Sequence, residues 1–344
     1  MTDNEQPNRE PSNAWWIYHG SGQPLDPAER DRRWPEPPPW RMFFGGPDLP
    51  TPPADERESR RRLGTTSVAH SADPNAVAMV NAAISLSRPI IVSGRPGSGK
   101  SALAHMIARE LGLGGVLRWP ITSRTTLRHG LYEYDTFGHA QALGGYGDAD
   151  IGNFIHLNPL GTALLPHRLP RVLLIDELDK SDVDLPNDLL SIFEEGEFVI
   201  NELVRVRDRQ PEVTVHATDL GVRAPVRDGV VRCHAFPVVV ITSNGEREFP
   251  AAFLRRCLTL TVRDPDVQRL ADMVAAHFGD RDVEMPDDMI AKFVAARRSK
   301  GGLAADQLLN AVHLATSGAF DPRHSEGWAD LLDAIWHRLS EAPT

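Results

Sequence analysis

The stretch "VSGRPGSGKSALAH", residues 92–105, has the residue types and spacing of a phosphate-binding loop. It matches G-x-x-x-x-G-K-[ST] at every fixed position, between the apolar run "PIIV" and the helix-forming run "SALAHMIAREL". The glycines let successive backbone N–H groups turn inward, and the positive end of the following helix adds to their attraction for phosphate. Lys100 is predicted to reach the β- and γ-phosphates of a nucleotide, and the Ser101 hydroxyl to bind Mg²⁺. The predicted nucleotide-binding residues are Gly94, Arg95, Pro96, Gly97, Ser98, Gly99, Lys100, Ser101 and Ala102.

Two adjacent carboxylates form the second chemical feature. In "RVLLIDELDK" four apolar residues lead into Asp176 and Glu177. Carboxylates at the carboxyl end of a buried parallel strand are costly unless they face a ligand crevice. Asp176 is predicted to hold Mg²⁺, directly or as a more distant partner, and Glu177 to activate the water that attacks the γ-phosphate. A protein that only binds a nucleotide has little need of a second carboxylate to activate water, so the pair indicates hydrolysis.

Three further candidate catalytic residues lie in "VVVITSNGEREFPAAFLRRCL". Asn244 ends an apolar strand, where its amide can share the attacking water with Glu177, although Asn followed by Gly is equally typical of a plain turn. Arg255 and Arg256 precede the last apolar strand. Such arginines do not easily reach their own phosphate-binding loop, but they can project into a neighbour's site and stabilise the transition state there. A surface ion pair is the alternative role.

Short apolar runs and helix-forming runs alternate from about residue 71 and must position these side chains. The apolar runs do not alternate with polar residues, which is typical of strands buried on both faces of a parallel sheet. The predicted strands are "RPIIVSG", "GVLRWPI", "RVLLIDE", "FPVVVITSN" and "CLTLTVRD". After Asp264, four runs carry apolar residues at helical spacing. We therefore predict an α/β P-loop NTPase core with a five-stranded parallel sheet over residues 71–263, and a small all-α domain over residues 264–344.

Residues 1–70 have a different composition. Residues 1 to about 55 hold 12 of the 28 prolines and 4 of the 7 tryptophans. Proline removes a backbone donor and fixes φ, so neither a helix nor a central strand is expected in this Pro/Trp-rich arm. Its aromatic residues indicate an arm that docks, either on its own domain, which we favour, or on a neighbouring subunit or partner. The following "DERESRRRLG" is predicted to be a solvated, charged linker.

Composition limits the function classes. The chain has 344 residues, 41% of them hydrophobic and 24% charged, without a membrane-length apolar run or a signal pattern, which predicts a cytoplasmic protein without a membrane role. A net charge of −10 argues against nonspecific nucleic-acid binding as the main task. The spacing of a metal site is not found around the two cysteines, Cys233 and Cys257. It is also not found around the histidines His216, His234 and His313.

Together these residues resemble the AAA+ ATPases, and within them the MoxR group, over about residues 71–320. The resemblance rests on the P-loop, on "LLIDELDK", on "TSNGEREFPAAFLRRC" as sensor 1 with the arginine-finger region, and on the helical tail as a lid. It implies a homo-oligomeric ring, usually a hexamer, that hydrolyses Mg-ATP between subunits and remodels or activates a partner protein. MoxR-like members often act beside von Willebrand factor A domain proteins, and a subset is associated with bacterial conflict systems. The group's pattern places an apolar residue after the finger, which favours Arg256 over Arg255.

The resemblance also implies two insertions and shows one departure. Residues 122–156 resemble an insertion after the second strand, and residues 205–235 a hairpin before sensor 1 with "RDG" as its turn. In related motors both insertions line the pore or face the client. The lid of the group usually offers an arginine as sensor 2, whereas the corresponding "SKGGLAADQLLNA" has Asp306 and no arginine. The candidate substitutes are Arg297, Arg298 and Lys300.

Two other functions stay open at this point. One is an ATP-dependent regulatory switch or scaffold that hydrolyses slowly, and the other is a nucleic-acid-directed AAA+ motor. The acidic composition weighs against the second. Turnover of the unmodified protein compared with Glu177→Gln separates the motor from the switch.

Overall fold

Eleven strands and fourteen α-helices make up the part of the chain that the structure describes. The structure is a computed structural model, and it describes residues 15–65, 73–146, 149–279, 289–300, 303–317 and 327–336. The strands are β1 (Ile90–Ser93), β2 (Leu117–Pro120), β3 (Tyr132–Tyr134), β4 (Ile155–Leu157), β5 (Val172–Asp176), β6 (Glu197–Val199), β7 (Glu212–His216), β8 (Arg223–Arg227), β9 (Val230–Arg232), β10 (Val238–Ser243) and β11 (Leu258–Thr261). The helices are α1 (Pro27–Arg33), α2 (Glu56–Leu63), α3 (Pro74–Leu86), α4 (Ala102–Leu111), α5 (Leu127–Leu131), α6 (Thr136–Gln141), α7 (Pro159–Ala163), α8 (Asp184–Glu195), α9 (Asn201–Val204), α10 (Ala251–Leu254), α11 (Val267–Phe278), α12 (Met289–Lys300), α13 (Ala305–Thr316) and α14 (Trp328–Ile335).

The five predicted apolar strands form one parallel sheet in the order β11-β1-β10-β5-β2. The inner strands β1, β5 and β10 are buried along almost their whole length. The edge strand β2 alternates buried and exposed residues, and β11 is mostly exposed, so complete burial holds only for the inner strands. The α/β P-loop fold predicted from the sequence is confirmed, with a helical region after it.

The sheet separates two apolar cores. Because successive side chains of a strand point to opposite faces, Ile91 and Ile241 belong to one core while Ile90 and Val240 belong to the other. The first core also contains the apolar residues of a second sheet. The second core is completed by α3, α4 and the N-terminal arm.

The second sheet joins the two predicted insertions. Its strand order is β3-β4-β7-β8-β9-β6, with β3 and β4 from the first insertion and β7 to β9 from the second. The sequence predicted a hairpin in the second insertion but not a shared sheet, because the link is long-range: His156 of β4 pairs in parallel with His216 of β7. The "RDG" turn lies between β8 and β9, where Asp228 and Gly229 have φ of 54° and 71°, as a two-residue hairpin turn requires.

The expectation that the arm contains no helix is wrong. Helix α1 begins at Pro27, with the Asp26 carboxylate accepting a hydrogen bond from the Glu29 N–H. Proline is tolerated in the first turn because the N–H groups there have no partner within the helix. The "DERESRRRLG" segment is also not a solvated linker, since it forms α2 and packs on α4.

Part of the arm packs on its own chain, whereas the side chains of Trp15, Trp40 and Phe44 are more than half exposed. Ile17 and Tyr18 are buried in the core on the α3–α4 side of the parallel sheet. Their backbone N–H groups donate to Asn81 Oδ1 over 2.8 and 3.0 Å, and the Asn81 amide donates back to the Tyr18 carbonyl over 2.7 Å. Residues 1–14 of the arm lie outside the described part of the chain.

Helices α11 to α14 form a separate apolar cluster after the sheet. Leu270, Phe293 and Leu308 are fully buried within it. Of the four predicted helical runs, the second begins near residue 286 and the fourth near residue 325, and both of these starting points lie outside the described residues. In the described part of the chain, no helix combines the length and apolar character needed to cross a membrane.

Candidate nucleotide site

The phosphate-binding loop connects the end of β1 to the start of α4, as its sequence predicts. Gly97 and Gly99 have φ of 73° and 87°, which residues with a side chain rarely adopt. The Lys100 ammonium is buried and donates to the carbonyls of Gly94 and Arg95 over 2.8 and 2.9 Å. The ammonium therefore lies within the loop that it is predicted to serve.

The other predicted residues of the loop lie as follows. Pro96 is exposed, and Ala102 is the first residue of α4. The Ser98 hydroxyl oxygen is buried and, among the described residues, has no hydrogen-bond partner. A buried hydroxyl without a partner is unfavourable, so this position fits an acceptor supplied by a ligand.

Asp176 is the last residue of β5 and lies next to Ser101, at the end of the loop. Its Oδ1 accepts hydrogen bonds from Ser101 Oγ over 2.9 Å and from Thr242 Oγ1 over 2.8 Å. Its Oδ2 accepts from both Arg118 Nε and Arg118 Nη2, over 3.1 and 2.7 Å. The structure thus brings the two predicted metal-binding residues, Ser101 and Asp176, into direct contact.

Burial and hydrogen bonding have opposite effects on the pKa of Asp176. Burial alone disfavours ionisation of Asp176, but hydrogen bonds from Arg118, Thr242 and Ser101 outweigh it and hold the pKa below its ordinary value. Burial lowers the pKa of Lys100, an effect that the nearby carboxylates, Asp179 first, partly oppose. Asp176 is consequently ionised at neutral pH, as a metal ligand must be.

Glu177 has an unusual backbone conformation. Its φ of 64° and ψ of 50° place it in the left-handed region, which costs a non-glycine residue about 1–3 kcal/mol. Its N–H donates to Thr242 Oγ1 over 2.8 Å, and the same hydroxyl donates to Asp176. The Thr242 hydroxyl therefore contacts both residues of the carboxylate pair, and its hydrogen bond with the Glu177 N–H helps to stabilise this turn.

Asn244 lies between the ammonium and the second carboxylate. Its Oδ1 accepts from Lys100 Nζ over 2.8 Å, and its Nδ2 donates to Glu177 Oε1 over 3.3 Å. Its backbone N–H donates to the buried Asp179 over 2.8 Å. Asn244 is therefore a polar partner of Glu177, which is one of the two roles predicted for it.

Arg255 and Arg256 lie at the opposite end of the sheet from the loop. Leu258, two residues after Arg256, pairs with Ile90 at the start of β1, whereas the loop follows Ser93 at the end of β1. The length of β1, roughly 13 Å, therefore separates the two arginines from the loop. Arg256 Nε donates to Glu194 Oε1 in a partly exposed ion pair, and Arg255 is exposed. Within one chain, neither arginine is part of the site.

The helical region contacts the loop directly. The Ala305 N–H, at the start of α13, donates to the Gly97 carbonyl over 3.3 Å. Asp264 pairs with Arg297 of α12 over 3.0 Å and with Arg95 of the loop over 3.5 Å. Of the three candidate sensor residues, Arg297 is therefore linked to the loop through Asp264, Arg298 is exposed, and the Lys300 side chain lies outside the described part.

Four residues of this network were not predicted from the sequence: Arg118, Thr242, Asp179 and Asp264. Arg118 interrupts an otherwise apolar run, and Thr242 precedes Asn244 at the polar end of another. These polar residues within apolar runs are the features of the sequence that could have indicated a role in the site. They do not indicate which partner each side chain contacts, because the contacts depend on β2, β5 and β10 lying side by side.

The residues present fit the phosphates of a nucleotide and an accompanying Mg²⁺ ion. The loop offers a buried ammonium, a buried hydroxyl without a partner and glycines at positive φ, and Ser101 with Asp176 offers two oxygen donors of the kind that Mg²⁺ prefers. Among the described residues, no group of three or more His, Cys, Asp or Glu side chains could hold a metal ion.

Comparison with known proteins identifies the core. Residues 89–257 match the model of the AAA domain, dynein-related subfamily. The fold is similar to that of NtrX from Brucella abortus in complex with ADP, at 16% identity and a TM-score of 0.40, over 84% of this chain and 59% of that one. It is also similar to a mutant of Thermotoga maritima RuvB, at 16% identity and a TM-score of 0.38, over 76% of this chain and 68% of that one. No curated protein sequence matches the chain. Membership of the MoxR group stays a prediction.

Proposed function

Since residues 89–257 form an AAA+ ATPase domain, we propose that the chain is a MoxR-like AAA+ ATPase that binds Mg-ATP and hydrolyses it at the interfaces of a homo-oligomeric ring, and so remodels or activates a partner protein. The observation that carries this proposal is the pair of contacts made by Asn244, to Lys100 and to Glu177. The Lys100 ammonium, which we propose binds phosphate, and the Glu177 carboxylate, which we propose as the general base, thus lie on either side of one amide.

Each residue has a distinct part in the proposed reaction. Lys100 and the loop hold the phosphates, and Glu177 accepts the proton of the attacking water. Asn244 orients that water together with Glu177. Ser101 and Asp176 would hold Mg²⁺, which neutralises charge that develops on the phosphate oxygens.

The position of Arg255 and Arg256 supports a site shared between subunits. An arginine at the far end of the sheet cannot stabilise the transition state in its own chain. In a ring, a neighbour presents that end of its sheet to the loop. We propose Arg256 as the residue that acts in trans, held by Glu194 until the interface forms.

The partner is proposed to be a protein, with a von Willebrand factor A domain protein as one candidate and a bacterial conflict system as one setting. Exposed apolar side chains on the two insertions support a protein contact: Phe137 and Leu143 on the first, and Leu220 on the second. Leu220 lies in the connection between β7 and β8 and is fully exposed.

ATP turnover measured against protein concentration tests the proposal, with particle mass recorded on the same samples and Glu177→Gln as control. Turnover per subunit should rise as larger particles form, and the variant should bind nucleotide without turnover. Tight nucleotide binding with negligible turnover at every concentration would instead support a regulatory switch. Salt-dependent binding of DNA that stimulates turnover would support a nucleic-acid motor.

A further inference from the structure

The Asp176 carboxylate has all of its acceptor capacity in use. Two hydroxyls, those of Ser101 and Thr242, donate to Oδ1, and two donors of one guanidinium, that of Arg118, donate to Oδ2. An ionised carboxylate offers about four lone-pair sites. A metal ion or its water shell can bind Asp176 only if one of these four hydrogen bonds is given up.

The four hydrogen bonds differ in how easily they break. Thr242 is 1% exposed and also accepts from the Glu177 N–H, so its hydroxyl cannot move away without leaving that N–H unpaired. Ser101 is itself a predicted metal ligand and keeps its proton for Asp176 when its lone pair binds a metal. The Arg118 side chain is 45% exposed and can be solvated elsewhere.

Arg118 reaches Asp176 from the edge of the sheet. It lies on β2, where its register partner on β5 is Leu174, two residues before Asp176. β2 is the last strand of the sheet on that side, so the guanidinium has solvent next to it. The Asp176 carboxylate is only 12% exposed, so water competes mainly for the guanidinium end of this ion pair.

From these contacts we propose that Arg118 is an internal competitor of the metal: its guanidinium neutralises Asp176 while no metal is bound, and Mg²⁺ displaces it from Oδ2. A guanidinium and a divalent cation on one carboxylate repel each other. Arg118 is thus a positioning residue that sets how much Mg²⁺ the site requires. This inference rests on the proposed Mg-ATP site.

The test is the Mg²⁺ dependence of nucleotide affinity. A fluorescent ADP analogue is titrated into the full chain in EDTA and at Mg²⁺ concentrations up to the millimolar range. The variants are Arg118→Ala, Arg118→Lys and, as a matched control, Arg124→Ala, which removes an exposed arginine from the segment that follows β2. Circular dichroism checks that each variant is folded.

We expect Arg118→Ala to lower the half-saturating Mg²⁺ concentration about three- to tenfold, because it removes a partly exposed, charge-assisted contact. Its affinity in EDTA should stay at the unmodified level, and Arg118→Lys should fall between the two. Thermal unfolding in EDTA should occur at a lower temperature in Arg118→Ala, because Asp176 then lacks its counter-charge, and Mg-nucleotide should remove that difference.

An unchanged or increased Mg²⁺ requirement in Arg118→Ala overturns the inference. Weaker binding in EDTA also overturns it, since Arg118 would then be a nucleotide ligand rather than a competitor of the metal. If the unmodified chain binds no nucleotide at any Mg²⁺ concentration, the proposed function fails together with the inference, which is a different result from a lost Arg118 effect alone.

Discussion

Lys100 Nζ donates to Asn244 Oδ1 over 2.8 Å and thereby ties the phosphate-binding loop to the end of β10. The two residues are 144 positions apart in the chain. The same amide reaches Glu177 with its Nδ2, so it holds the ammonium and the candidate base at fixed positions relative to each other.

Asn244→Ala should lower ATP turnover about 10- to 100-fold, because the Glu177 carboxylate loses the Asn244 donor, although it keeps the hydrogen bond from Lys180 Nζ over 2.8 Å, and the attacking water loses one partner. Nucleotide affinity should change much less, since Lys100 keeps the carbonyls of Gly94 and Arg95. Steady-state hydrolysis and equilibrium nucleotide binding measure the two effects. Turnover at the unmodified level would reduce Asn244 to a turn residue.

Thr242→Val should destabilise the chain by about 1–3 kcal/mol, because the Glu177 N–H loses its partner in a strained turn. It should also reduce turnover, since Asp176 loses a hydrogen bond in the same change. Thr242→Ser keeps the hydroxyl and serves as the control. Urea unfolding and hydrolysis rates are the measurements, and equal behaviour of the two variants would show that the hydroxyl has no such role.

Arg256→Ala should reduce turnover at least about 100-fold while leaving nucleotide binding nearly intact, because an arginine that acts in trans stabilises only the transition state. Mixing it with Glu177→Gln protein should restore part of the activity, since hybrid interfaces then contain one intact site. Each variant alone is the control. A mixture without any recovery would count against a shared site.

Gly64→Ala should destabilise the chain by about 1–3 kcal/mol more than Gly221→Ala. Both glycines have nearly the same positive φ, 74° and 73°. A Cβ at Gly64 would meet the Ala276 carbonyl oxygen of α11 at 2.3 Å, whereas one at Gly221 would meet nothing within 4 Å. Chemical unfolding of both variants isolates the contact between α2 and α11, and equal losses would show that this contact contributes nothing.

His105 should make stability depend on pH between about 6.5 and 4. Burial, assisted by Arg62, lowers the pKa of its imidazole from 6.5 to about 4. The unfolded chain therefore binds the proton first, and stability is lost as the pH falls through this window. The loss between pH 7 and pH 5 should be about 2 kcal/mol.

Urea unfolding of His105→Gln at both pH values measures this contribution. The variant should lack that part of the acid sensitivity, whereas His313→Gln, at an exposed position, should keep it. A steeper loss of stability in His105→Gln than in the unmodified chain would contradict the assignment.

The sequence alone determined the fold class and most of the candidate site. An uninterrupted apolar strand, a glycine-rich turn and a helix former are local features, so the loop and the five strands can be predicted from neighbouring residues. The sequence reading failed in the arm, where proline density was taken to exclude helices. Proline at the first position of α1 shows that position within a helix matters more than composition.

Tertiary structure decided which side chains meet. Arg118 contacts Asp176, Thr242 supports Glu177, and Arg297 is linked to Arg95 through Asp264. Each contact joins residues from strands or helices that are distant in the chain, and it exists only because β2, β5 and β10 align their carboxyl ends and the helical region packs on the loop. Spacing in the sequence determines which residues occur near the end of an element. Strand order and register determine which partners those residues find, because they set the distances between side chains of different elements.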